Sequence, residues 1–221
     1  MTKKIGCLHA HHSNIPYVQT ALGAIGLELS HFVDPGLIAR MSGDRSFDLR
    51  QAQDRAREQV EWIARTNVDA ILITCTNYIA LLDGERLDVG VPVVNLDEPF
   101  FARACEIDGP QTILFTNPAT VEGTMRRLHA YAESRGLAIR AEALVVPHTF
   151  QLIMRGEAET YKREVSRYIR ELLASDPGKP VSVAQLSMVE AAEAVERDLG
   201  ASICNPLKPL AEAVLAAIGA E

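Results

Sequence analysis

The sequence has no apolar run of about 18 residues, so no transmembrane helix is expected. It has no excess of cations either. Its 22 Lys and Arg face 29 Asp and Glu, a formal charge of −7, with no basic stripe to neutralise phosphates, so nucleic acid is not an expected partner. The four cysteines (Cys7, Cys75, Cys105, Cys204) are too widely and irregularly spaced for a disulfide framework or a Cys-x-x-Cys metal knuckle. No Gly-x-Gly-x-x-Gly follows a strand and no Gly-x4-Gly-Lys-Ser/Thr loop occurs, which argues against dinucleotides and nucleoside triphosphates. The Gly-x-Ser-x-Gly nucleophile elbow is also missing. The opening segment through His9 has a basic tip, but its apolar stretch is too brief for a secretory signal. What remains is ordinary globular usage, 48% hydrophobic and 23% charged, and a cytoplasmic location is the expectation.

Short apolar runs alternate with helical patterns along the whole chain. Buried strands are expected at 4–8, 27–33, 68–74, 91–94, 112–115, 143–146, 181–184 and 201–203. Helices are expected over about 15–25, 48–65, from 97, 118–135, 157–174, 189–199 and 207–218. Continuous apolar strands separated by helices indicate parallel sheet covered on both faces, hence an α/β fold.

An internal repeat organises these elements. Ile5 and Ile113 are 108 positions apart, Cys75 and Ser187 are 112 apart, and Asn95-x-x-x-Pro99 recurs as Asn205-x-x-x-Pro209 at an offset of 110. Three landmarks thus agree on a period of half the chain. The expectation is two pseudo-two-fold related lobes, 1–97 plus 207–221 and 98–206, each a parallel four-stranded sheet flanked by helices. A shared crevice at the carboxyl ends of the strands would be the ligand site.

The residues at strand ends carry the chemistry. Cys75, within Thr74-Cys75-Thr76-Asn77, sits where a buried strand turns into a helix. Thr76 or Asn77 suits the N-cap, and a thiol near the positive end of the helix dipole is expected to have a lowered pKa. The same main-chain N–H groups suit a substrate carboxylate. Cys7, in a strand, and Cys105, in a helix, read as structural. In the second half, Asn117 suits an N-cap with Pro118 at the first helical position, and Thr116, Asn117 and Thr120 are carboxylate-binding candidates.

Here the chain resembles the aspartate/glutamate/hydantoin racemase superfamily, which includes maleate isomerases and arylmalonate decarboxylase. The resemblance rests on Ile71–Asn77, on Ile113–Val121, on the two-lobed repeat and on the Asn205–Pro209 segment. It implies a pair of cysteines, one per lobe, exchanging protons with opposite faces of a substrate α-carbon without metal or other cofactor. Cys75 matches the first. At the second stands Ser187, a far weaker acid and a poor base without activation, which a capping box with Glu190 would explain by helix geometry. The loop His9-Ala10-His11-His12-Ser13-Asn14 falls where the superfamily places polar residues against substrate, so His9, His11 and Asn14 are binding candidates. His-x-His-His lacks the Asp and the distant ligand group of metallohydrolases, so no metal is expected there. His148 is a candidate replacement partner for Cys75.

The reading is a cofactor-independent isomerase or racemase-like enzyme acting on a small carboxylate (amino acid, hydantoin or dicarboxylate), with Cys75 as thiolate base or nucleophile. The alternatives are a one-cysteine decarboxylase or other lyase of a malonate-like acid, and a catalytically silent carboxylate-binding protein. A homodimer is expected by analogy, with the helix carrying Trp62 as a candidate surface.

Overall fold

The computed structural model describes residues 2–85 and 87–220. Met1 and Glu221, the ends of the expected first lobe, lie outside the described residues. The chain forms two compact units, Met1–Asp97 with Leu210–Glu221, and Glu98–Pro209. Each is built as an α/β unit on a parallel sheet, which bears out the fold class read from the sequence.

The first unit holds strands β1 (Lys4–His9), β2 (Glu28–Val33), β3 (Ala70–Ile73) and β4 (Val93–Asn95), in the order β2-β1-β3-β4. All pairs are parallel. Its helices are α1 (Ile15–Gly23), α2 (Gly36–Gly43), α3 (Leu49–Ala64) and α4 (Thr76–Leu82), with α10 (Leu210–Ala217) returning from the chain end. β1 and β3 are buried along their length, as strands covered on both faces must be. Side chains alternate across β1. Gly6 and Leu8 face α3, while Cys7 and His9 face the side where α1 packs on β2.

α3 forms because its apolar positions fall on one stripe, burying Ala52, Ala56, Val60 and Ile63. Its start is fixed by a reciprocal capping box. Asp48 accepts from the Gln51 N–H, and the Gln51 side chain accepts from the Asp48 N–H. The helix rests against β1 at Gly6, where a methyl group would stand 2.4 Å from Ile63 Cγ2.

The second unit holds β5 (Pro110–Phe115), β6 (Arg140–Val145) and β7 (Val181–Val183) in the order β6-β5-β7, again parallel. Its helices are α5 (Asp97–Cys105), which begins at the unit boundary, α6 (Val121–Ser134), α7 (Thr149–Met154), α8 (Ala158–Ser175) and α9 (Val189–Leu199). Leu114 and Val183 pack with α8 and α9, while Ile113 and Phe115 pack with Phe100 and Phe101 of α5 and Leu128 of α6.

This sheet has three strands rather than the expected four. Where a strand at 201–203 was expected, Cys204 makes a single parallel bridge to Ser182. The Ile203 N–H is donated instead to the Glu196 carboxylate at 2.6 Å, and the Asn205 side chain accepts from the Leu207 and Lys208 N–H groups. Side chains have thus taken over donors that a ladder would use. The last helix accordingly starts at Leu210 and not at 207. Two short helices, α2 and α7, were not foreseen from the sequence.

Gly6→Ala should destabilise the chain by about 1–3 kcal/mol, the usual cost of overpacking a filled core. Ile63→Ala in the same chain should recover part of that loss. A urea-denaturation double-mutant cycle measures the coupling.

Candidate functional site

In each unit the chain leaves the first strand for a neighbour on one side and then crosses to the other side. Open parallel sheets bind ligands outside the carboxyl ends of the strands that flank such a reversal. In the first unit those strands are β1 and β3, and in the second β5 and β7. The segments 10–14 and 74–77 follow the first pair, and the segments 116–120 and 184–187 follow the second.

In the first unit the Thr74 hydroxyl is the centre. It is buried, donates to the Leu8 carbonyl at 3.1 Å, and lies 2.8 Å from His9 Nδ1 and 3.3 Å from the Asn14 side-chain nitrogen, which donates to it. His9 is therefore not a loop residue. It ends β1, is fully buried, and its Nε2 lies 2.9 Å from Nδ1 of His31 on β2. Burial, with a smaller contribution from His31, lowers the His9 pKa to about 4. Asn14 is half-buried, with its side-chain nitrogen directed to the hub. His11 is exposed and is spent on capping, its Nδ1 accepting from the Ser13 N–H at 3.2 Å.

Cys75 follows directly. Its backbone is extended, and it is the N-cap of α4 itself, in place of Thr76 or Asn77. The residue as a whole is half-buried. Burial pushes its thiol above the ordinary value, and the Asn77 and Tyr78 N–H groups that face it pull the other way without cancelling burial. The lowered thiol pKa read from the sequence is thus overturned. Desolvation of the charged form outweighs the helix terminus. Thr76 is half-buried and Asn77 exposed on the first turn of the same helix.

In the second unit, Ser187 lies inside a 3-10 turn, Leu186–Met188, and Met188 is the N-cap of α9. The expected capping box is absent, and Glu190 pairs instead with Lys162. The Ser187 hydroxyl goes to Tyr161 Oη at 2.7 Å, which lies 3.1 Å from Thr116 Oγ1. Thr116 Oγ1 donates in turn to Gln185 Oε1 at 2.9 Å. Each hydroxyl has one hydrogen, so the chain runs in one direction: Ser187 donates to Tyr161, Tyr161 to Thr116, Thr116 to Gln185. The lone pairs of Ser187 are left as acceptors.

Gln185 Oε1 also accepts from the main-chain N–H groups of Thr116 (2.6 Å) and Asn117 (3.1 Å), while its nitrogen donates to Thr120 Oγ1 at 3.3 Å. The donors read as a carboxylate cradle are thus engaged by this amide. Asn117 is an N-cap, accepting from the Ala119 N–H at 3.1 Å, with Pro118 next. His148 is exposed and caps α7 in a left-handed backbone conformation, φ 61°, without a side-chain cap hydrogen bond.

Reasoning from sequence passed over Thr74, His31, Tyr161 and Gln185. Thr74 and Gln185 left a signal, each a polar residue at the end of an apolar strand shortly before Cys75 or Ser187.

No family model and no curated protein matches the sequence. Solved structures do match. An aspartate racemase homologue from Pyrococcus horikoshii aligns with a TM-score of 0.72 at 11% identity, over 99% of this chain and 100% of that one. Allantoin racemase from Klebsiella pneumoniae aligns with a TM-score of 0.67 at 19% identity, over 99% and 89%. The chain has the racemase fold. A glycine-to-cysteine variant of arylmalonate decarboxylase shares it, with a TM-score of 0.61 at 16% identity over 98% and 93%.

Because burial raises the Cys75 thiol, its alkylation by iodoacetamide should be slow at pH 7. The rate should rise about tenfold per pH unit to at least pH 9, following the thiolate fraction. Mass spectrometry of the labelled peptide reads this directly, and a rate already flat by pH 7 would contradict it. His148→Gly should raise stability by about 1 kcal/mol, since glycine carries no left-handed penalty. His148→Ala should give no such gain in the same thermal-melt series.

Proposed function

We propose that the protein is a cofactor-independent, racemase-like enzyme that moves a proton at the carbon next to a carboxylate, with Cys75 as the proton-transferring group. One observation carries the reading. Cys75 is the partly exposed residue at the carboxyl end of β3, beside the reversal of strand order, with two main-chain N–H groups facing its sulfur. Those N–H groups lower the energy of charge on sulfur, which a thiolate base carries before it takes a proton and a thiol acid carries after it gives one. The fold neighbours that are racemases support the reaction class. Thr76, Asn77 and Asn14 are the side chains we assign to the substrate carboxylate, an amino acid, hydantoin or dicarboxylate.

Ser187 is assigned a supporting part, as a hydroxyl that accepts rather than donates. Its hydrogen is committed to Tyr161, and its capping role is not realised. A neutral serine so placed is a weak base, so two-base racemisation through it would be slow relative to chemistry at Cys75.

A second reading is favoured by the raised Cys75 pKa. A thiol that stays protonated is ready to act as an acid. In a malonate-like substrate the bond to one carboxylate breaks, carbon dioxide leaves, and the electron pair remains as an enediolate. The Cys75 proton then goes to carbon on one face, and water reprotonates the sulfur.

Turnover of a panel of amino acids, hydantoins and malonates in heavy water separates the two. Racemisation places deuterium in both enantiomers, whereas decarboxylation releases carbon dioxide and labels one face. In either case Cys75→Ala should lower kcat by about 1000-fold or more with the fold intact by circular dichroism, the scale of a lost proton-transfer group. Ser187→Ala should cost no more than about tenfold. Undiminished turnover by Cys75→Ala would overturn the assignment.

A further inference from the structure

The face of β1 opposite α3 carries Cys7 and His9 two residues apart, and β2 places His31 beside Cys7 in parallel register. The Cys7 sulfur and one ring nitrogen from each histidine all lie within 4.8 Å of one another. Cys7 and His9 are fully buried, and His31 is partly exposed on the edge strand. None of this trio is needed as a proton-transfer group in the reading above.

The two rings stand in a row of polar side chains. His9 Nδ1 lies 2.8 Å from the Thr74 hydroxyl, whose hydrogen has this nitrogen and the Leu8 carbonyl within reach. His9 Nε2 lies 2.9 Å from His31 Nδ1. His31 Nε2 faces Gln19 Oε1 at 3.1 Å. An ion can replace the hydrogen between His9 and His31 while both outer contacts are kept. His9 Nε2 and His31 Nδ1 become ligands, His9 Nδ1–H donates to Thr74, and His31 Nε2–H donates to Gln19. Metal-bound histidines are held in this manner, with the second ring nitrogen donating to an oxygen. The Cys7 sulfur, whose one hydrogen-bond contact is a weak one to the Ile5 carbonyl at 3.9 Å, supplies the third ligand.

We propose that Cys7, His9 and His31 form a binding site for a zinc ion, with Thr74 and Gln19 orienting the two rings and a water in the fourth position on the His31 side. Zinc bonds of about 2.3 Å to sulfur and about 2.0–2.1 Å to nitrogen put tetrahedral nitrogens about 3.3 Å apart and sulfur about 3.6 Å from each. The two rings must therefore part by a few tenths of an ångström and the sulfur close in. Binding forms one Zn–S and two Zn–N bonds and releases the Cys7 proton, while both histidines enter neutral. The ion joins β1 to the edge strand β2 and leaves Cys75 outside the coordination sphere.

The test titrates the metal-stripped full-length protein with Co2+, which reports thiolate ligation by a charge-transfer band in the near ultraviolet. The expected result is one Co2+ per chain with that band and one proton released per ion bound, the Co2+ then being displaced by Zn2+ with no further proton release. Cys7→Ser should abolish the band. His31→Gln, on the partly exposed edge strand, should weaken binding by about tenfold or more while the far-ultraviolet spectrum stays native. Cys75→Ala and Cys204→Ser should retain the band, so failure here is distinct from failure of the proposed activity. No stoichiometric uptake would overturn the proposal and leave the row as a hydrogen-bonded chain from Thr74 to Gln19. A band that survives Cys7→Ser, or is lost with Cys75→Ala, would overturn it equally.

Discussion

The Thr74 hydroxyl ties the carboxyl ends of β1 and β3 together, and the arrangement of the first unit's polar residues depends on it. A parallel sheet whose strand order reverses leaves its two flanking strand ends to diverge, with main-chain groups and polar side chains exposed where they part. Thr74 closes that divergence from within. It donates to the Leu8 carbonyl and receives from Asn14 and His9, so that one buried oxygen fixes strand β1, the following loop and the residue before Cys75. Buried polar groups so fully satisfied define a single geometry, because each alternative leaves a donor or acceptor unpaired. The position of the Cys75 sulfur is inherited from that constraint.

At Cys75 two opposing effects meet, and their sizes decide its chemistry. The helix terminus offers two N–H groups, each stabilising the thiolate by a modest amount. Burial withdraws water, which stabilises it far more. The net direction is upward, so the resting group is a thiol. A conjugate base of raised pKa is also a stronger one, and carbon acids beside carboxylates are weak. The same desolvation that keeps the sulfur protonated therefore makes it more basic once it ionises, which is the useful direction for removing a proton from carbon.

How much of this was legible in the sequence follows from which interactions are local. Continuous apolar strands and one-sided helices report burial through spacing alone, so the parallel α/β units were readable. Cys75 and Ser187 were legible as strand-end residues because strand ends are marked by the loss of apolar residues. The missed features depend on partners distant in sequence. Cys7 and His31 become neighbours only through the β1–β2 register. Reading His9 with His11 and His12 as a loop cluster misassigned it, since His9 continues the inward alternation of β1 while the other two are exposed. The capping box at Ser187 satisfied a sequence pattern, but Tyr161, 26 positions away, offered its hydroxyl a buried partner instead. The fourth strand of the second sheet failed because the Glu196 carboxylate captured a ladder donor, a competition that hydropathy does not register.

The two units put their strand ends to different use. In the first unit the reversal carries titratable groups: a thiol at Cys75 and imidazoles at His9 and His31. In the second the corresponding donors are closed upon a side chain of the unit itself, the Gln185 carbonyl holding three hydrogens. An amide oxygen is a neutral acceptor, and a carboxylate in its place would make shorter, charge-assisted bonds to the same donors. Exchange of one for the other would release an amide that also holds Thr120. Gln185 thus satisfies the cradle in the absence of an anion at the cost of competing with one. It also fixes the hydrogen of Thr116 and, through Tyr161, the orientation of Ser187. Where the first unit carries a thiol, the second carries an ordered row of hydroxyls, whose polarity is set at the Gln185 end.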